Sequence, residues 1–257
     1  MKSKKSIIKK IIIGVLPCIL TAAIAVGATL AFMTDKESKT NTFTIGDDID
    51  IELDEDGWND GDPDDPDDPG DGEDLVPGDT KYKDPTITVT SGEVYARIKV
   101  EFVDNDGNYI TDTEQINKIL STLYYDTDYN TDAQNILKDN KYTTTQLAEL
   151  IANNKVIAEY NTNDFEYDTT RTSNVAIRYY NLKNTAGPGT STTLFTSVVI
   201  PSDWTKDDID TLRGEVTGTD NGGYKIIVTA EAIQKENVEN AAAAWTALDA
   251  ASSSATT

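Results

Sequence analysis

Between Asp47 and Asp74 the chain carries sixteen carboxylates and no basic residue. Residues 54–74 (DEDGWNDGDPDDPDDPGDGED) are also punctuated by proline and glycine. Like charges at this density repel, and the stretch has too little apolar surface to offset the entropy of ordering it. Residues 54–74 are therefore expected to be a solvated linker, and the chain divides around them. In the part before, Phe43, Ile45, Ile49, Ile51 and Leu53 share one parity, with polar residues between them and a turn at Gly46. That is the period of a half-buried strand, with Asp48, Asp50 and Glu52 facing water. A strand over 32–53 would thus be tethered to the domain that begins near Leu75.

The first residues read as an address. Met1 to Lys10 holds five lysines and no acid, and Ile11 to Ala31 is uncharged. A basic start, an apolar run and small residues at its end describe a signal peptide over 1–31, cut after Ala31 or Ala28. The same run is long enough to cross a bilayer if it were retained. Pro17 and the small residues favour cleavage, so membrane contact is expected only through the uncleaved leader. Pro17 stands before Cys18 where a lipoprotein signal wants a small residue. Cleavage at Ala31 leaves 17 Lys+Arg against 45 Asp+Glu, a charge of −28, and no cysteine.

Composition removes whole classes of chemistry. With no histidine in 257 residues, Ser-His-Asp and Cys-His catalysis and HExxH zinc sites are excluded. A single cysteine allows no intramolecular disulfide. The acidic balance argues against nucleic acid as a partner.

Several motifs together resemble a known family. They are Gly27-Ala28-Thr29-Leu30-Ala31-Phe32-Met33-Thr34-Asp35, then Asn41-Thr42-Phe43-Thr44-Ile45-Gly46, then Ile49-Asp50-Ile51-Glu52-Leu53. Pro77-Gly78-Asp79 through Lys83-Asp84-Pro85, Tyr95 to Val100 and Thr229 to Gln234 add to the likeness, while residues 111–222 match nothing in it. The chain resembles the TasA/camelysin family, exported by Gram-positive bacteria and processed by a SipW-type signal peptidase. The resemblance implies a jelly-roll β-sandwich, found in biofilm matrix fibres or spore coats, or described as a camelysin-type metalloendopeptidase. It implies the signal peptidase as one partner, and self-association or matrix proteins as others.

The domain over 75–235 reads as strands. Residues 85–90 form one, and Val94, Ala96, Ile98, Val100 and Phe102 line one side of the next. Asp104-Asn105-Asp106-Gly107 is a turn signal, returning through Tyr109-Ile110. A helical insert over 111–155 is marked by three capping boxes, Thr111/Glu114, Thr131/Gln134 and Thr143/Gln146. Strands resume at 175–180, 193–200 and 224–233, with a short helix over 205–212 between the last two. Residues 236–257 are an Ala/Ser/Thr-rich tail, helical around Trp245 and then fraying. The expected class is all-β, a two-sheet antiparallel sandwich with a small helical insert.

Candidate chemistry is sparse. Asp104, Asp106 and Asn108 resemble the start of a calcium loop, but an EF-hand counted from Asp104 would need Gly at Tyr109 and Glu at Gln115. A hairpin turn is the better reading, with only loose Ca2+ association by the acidic stretch. No catalytic, cofactor-binding or metal-ligating set is assigned. The peptidase alternative lacks ligands, since catalytic zinc wants histidine or thiolate. Tyr124, Tyr125, Tyr179 and Tyr180 could stack on sugars in a monomeric adhesin, but on strands they read as cross-strand packing. The remaining function has a mechanism: a secreted structural protein whose Phe43–Leu53 strand adds to its own sheet or to a neighbour's open edge. The first residue of the protein recovered from culture medium is expected to be Phe32 or Thr29; a chain kept inside the cell with Met1 attached would refute export.

Overall fold

The computed structural model describes residues 34–38, 49–55, 75–129, 136–138, 140–171, 173–214 and 222–254. The strands are β1 (Thr34–Ser38), β2 (Asp50–Asp54), β3 (Thr80–Tyr82), β4 (Thr86–Ser91), β5 (Val94–Asp104), β6 (Leu123–Asp126), β7 (Val156–Ala158), β8 (Phe165–Tyr167), β9 (Ile177–Leu182), β10 (Ser191–Thr193), β11 (Ser197–Val199) and β12 (Tyr224–Gln234). The helices are α1 (Thr113–Leu120), α2 (Thr144–Ala152), α3 (Lys206–Arg213) and α4 (Ala241–Ser254). The leader and both of its candidate cleavage points, Ala28 and Ala31, lie outside the described residues, as do the linker residues 56–74.

The mostly β, sandwich-like class is as expected, but the pairing makes three antiparallel sheets rather than two: β1-β12-β5-β9-β8, β10-β4-β2 and β3-β11-β6-β7. One residue explains the extra division. Residues 80–91 run antiparallel to 191–199, so that β4 pairs with β10 and β3 with β11. Between these ladders the Leu194 N–H donates to the Pro85 carbonyl at 2.9 Å and the Lys83 N–H to that of Thr196 at 3.2 Å. Pro85 has no N–H to return, so the ladder breaks there and the second layer is cut into two short sheets.

One core joins the three. On β5, Ala96, Ile98 and Phe102 are fully buried and Val100 nearly so. Their register partners on β12 include Val228, Ala230 and Ala232. Against this face pack Ile51, Ile87 and Val89 from one short sheet and Leu123 and Val198 from the other. Large residues on the small sheets meet alanines on the long pair, which lets the layers approach closely.

Several local expectations are corrected. The strand expected over 193–200 is two strands, because Leu194, Phe195 and Thr196, all buried, carry the chain from one sheet to the next. The insert over 111–155 is not purely helical: it contains β6, which pairs with β11 and β7 and extends the third sheet. Helix α1 is capped by Asp112 rather than Thr111; its carboxylate accepts the Glu114 N–H at 2.8 Å. An aspartate is at least as good a cap as threonine, and starting there turns Ile116, Ile119 and Leu120 into the core. The Thr143/Gln146 box does form on α2, and Thr205 caps α3. The Thr131/Gln134 box falls outside the described residues, and 136–138 next to it is a turn. The return at Tyr109-Ile110 is reduced to one bridge between Val103 and Tyr109. Gly214 ends α3 in the left-handed region at φ 69°, where any Cβ would also meet the buried Gln115 side chain.

The tail does not fray over its first part. Residues 241–254 form α4, which buries Ala244, Trp245 and Leu248 with Ile233 and half-buried Tyr95. Truncating Ile51 to alanine is expected to cost about 2–5 kcal/mol, read as a lower urea midpoint. Glu52→Gln on the opposite, exposed face should stay within about 0.5 kcal/mol of wild type.

Candidate functional site: an edge strand and a buried charge network

Among the described residues strand β2 pairs with β4 and lies at the edge of its sheet. Ile51 is fully buried, and Ile49 and Leu53 pack partly buried against the same core. The alternation Ile49, Ile51, Leu53 thus faces inward as its parity requires, while Phe43 and Ile45 lie outside the described residues. A bulge between Asp50 and Ile51 shifts the register at the strand's start, where Thr90 Oγ1 donates to Asp50 Oδ2 at 2.7 Å. At its other end Glu55 meets Lys83 at 2.6 Å. Upstream, β1 pairs with the edge of β12, Lys36 lying opposite Glu231 in register. The segment before the linker therefore supplies two strands to two different sheets, where the sequence suggested one.

The three calcium candidates come together as a turn. Asp104 Oδ1 accepts the Asp106 N–H at 3.0 Å and the Asn108 N–H at 2.8 Å. The Asn108 N–H, followed by its side-chain amide, holds the Asp104 carboxyl below the usual range. Its oxygens are turned inward onto the chain that carries them, the geometry of an Asx-capped hairpin. Among the described residues, no group of three or more acidic or cysteine side chains is placed to hold a metal ion.

What the sequence reading did not find is a charge network on the outer face of the large sheet. Arg97 and Glu231 stand opposite each other on β5 and β12, each 1% exposed. Arg97 Nε donates to Glu231 Oε2 at 2.7 Å, and its Nη2 lies 2.6 Å from the same oxygen. Nη2 also donates to Asp249 Oδ1 of α4 at 2.8 Å. Arg171 reaches Asp249 Oδ2 through Nε at 2.9 Å and Nη2 at 2.7 Å, and its Nη1 pairs with Asp168. Signs alternate along the chain of contacts, Asp168, Arg171, Asp249, Arg97, Glu231. The Arg97 guanidinium lies 4.4 Å from the centre of the Tyr179 ring and 5.6 Å from that of Trp245. Weak hydration and a flat face suit arginine to this sandwiched position.

The electrostatics follow from the contacts. Burial alone would raise the Asp249 carboxyl, but hydrogen bonds from Arg171 and Arg97 outweigh it and hold the group below its ordinary range. Asp168 is likewise pushed up by burial and brought down further by Thr170, through side chain and backbone, and by the charge of Arg171. Both acids are therefore held ionised, and each is already answered by an arginine. Such a network fastens a helix to a sheet; it offers no acid and base of separated strength for proton transfer.

Of the four tyrosines weighed as sugar platforms, Tyr124 and Tyr180 are buried and Tyr125 and Tyr179 are half-buried. Tyr180 stacks with Tyr160 and Tyr167 at ring-centre distances of 4.7 and 5.7 Å. A shallow open depression is lined by Pro77, Trp204, Ile209, Lys206, Asp210 and Arg213, with the ammonium of Lys118 placed over the Trp204 ring.

The chain matches no family model, and no curated protein or solved structure matches it.

The sign of the pH dependence is fixed by the two lowered carboxyls. A depressed folded-state value contributes stability that is present above the unfolded value of about 4 and is lost as pH falls through the folded one. Thermal stability is therefore expected to drop on acidification below about pH 4, and Asp249→Asn to flatten part of that drop. Arg97→Met, which removes the guanidinium that Glu231 and Asp249 share, should cost about 3–5 kcal/mol in urea unfolding. Adding Glu231→Leu should recover much of the loss, because a buried pair is often matched by apolar side chains of similar volume.

Proposed function

We propose that the chain is an exported structural protein of the extracellular matrix or cell surface of a Gram-positive bacterium, of the TasA/camelysin type its motifs resemble. Its sandwich is read as a variant of the jelly roll, and it builds by strand addition rather than by catalysis. The observation that supports this most is the placement of β2. A five-residue strand that lies, among the described residues, at the edge of its sheet inserts a fully buried Ile51 into the core. The acidic run of residues 56–74 separates it from the rest of the domain. The same strand can complete its own sheet or that of a neighbouring copy, since main-chain hydrogen bonds give affinity and alternate pockets give register. Donation from each copy to the next is a head-to-tail contact that does not close, so it propagates a filament.

Charge fits that role. At −28 after leader removal, the subunits repel one another and stay dispersed until strand pairing or counter-ions overcome the repulsion. Assembly is accordingly promoted by acid, salt or Ca2+. Electron microscopy of the mature chain is expected to show filaments that disappear when residues 32–53 are deleted. Filaments unchanged by that deletion would refute strand donation.

A further inference from the structure

Glu55 directly follows β2, and Lys83 directly precedes the turn into β4, the strand with which β2 pairs. Lys83 Nζ stands 2.6 Å from Glu55 Oε1, with the two side chains only 4% and 9% exposed. Among the described residues that oxygen accepts no directed hydrogen bond, so it is the ion pair that answers its charge. We propose that this pair is a latch: it holds β2 in its own chain and sets the rate at which β2 passes to a second copy. The inference rests on the strand-addition reading above and adds the regulation of that site.

The argument is one of barriers. A strand moved from its own sheet into the same site of an identical chain makes the same contacts there, so exchange is close to neutral in contact energy. What differs between chains that exchange and chains that do not is the cost of leaving. The ladder to β4 can open from its bulged end, because the bulge at Asp50/Ile51 already disrupts its pairing. The other end opens only by separating two opposite charges in a site that water scarcely reaches, a costlier step than parting a surface pair. The contrast within the molecule is Lys206–Asp210 at 2.5 Å, whose lysine is 77% exposed and whose loss would leave nothing stranded. Reach is not limiting, since the nineteen residues 56–74 can span up to about 65 Å.

The test follows exchange directly. Isotope-labelled and unlabelled mature chains are mixed, and native mass spectrometry records the growth of mixed species. Glu55→Gln and Lys83→Met should each speed that growth at least about tenfold over wild type. Trp245→Ala, which loosens α4 away from β2, should not. Chains with Glu55→Lys mixed with chains with Lys83→Glu should associate with each other faster than either does with itself. A strand of either chain seated in the other restores an opposite-charge pair, whereas each chain with itself sets like charges together. Wild-type rates in both single variants would overturn the latch and leave strand addition standing, as would equal acceleration by Trp245→Ala. Absence of mixed species in every variant would remove strand addition and the latch with it.

Discussion

The long antiparallel pair β5–β12 is covered on its inner face by the two small sheets and, where α4 docks, on its outer face as well, and that constraint orders the rest of the molecule. Eleven residues of each strand are in register, from Val94 opposite Gln234 to Asp104 opposite Tyr224. The inner face is apolar and packs against the two small sheets. The outer face brings Arg97 opposite Glu231, more than a hundred positions apart in the chain. Neither could be buried alone, since a lone ion in a dry site is strongly disfavoured. Together they form the floor on which Asp249, Tyr179 and Trp245 settle, and α4 docks there.

The second layer is built by a different rule. Its strands are short because the chain must leave one sheet and enter another at Pro85 and again at Leu194 to Thr196. Short strands with few partners are the easiest parts of a fold to open. β2 belongs to this layer, lies at its edge among the described residues and has a bulge at its start, so it is among the segments that open most readily. The large sheet has no such weakness in its centre.

Charge is distributed to match. A chain with twice as many acids as bases places five of its cations, Lys83, Arg97, Lys99, Arg171 and Arg178, in ion pairs that are largely withdrawn from water. The long acidic run, in contrast, has no base of its own within the sequence. The interior is thereby neutralised locally while the molecule as a whole remains strongly anionic, which opposes clumping.

Local patterns were readable from the residues because their physics is local. The alternation at Ile49–Leu53, in 85–90 and in Val94–Phe102 put those side chains in the core, the Thr143/Gln146 cap started α2, residues 205–212 read as the short helix α3, and the acidic run separated the first strands from the domain. Asp104, Asp106 and Asn108 likewise declared a turn. Other features depended on which distant strands met, and in what register. Glu231 occupies an outward position of a strand, and such a position is ordinarily wet; only the arrival of α4 made it dry. The alanine-rich tail shows no one-sided apolar stripe, so its docking could not be foreseen from spacing. The break at Pro85 matters only because 80–91 runs beside 191–199, and the Glu55–Lys83 pair exists only because β2 lies on β4. Periodicity and capping follow from the nearest few bonds of the chain, whereas register, sheet boundaries and buried ion pairs follow from which surfaces the whole fold brings together.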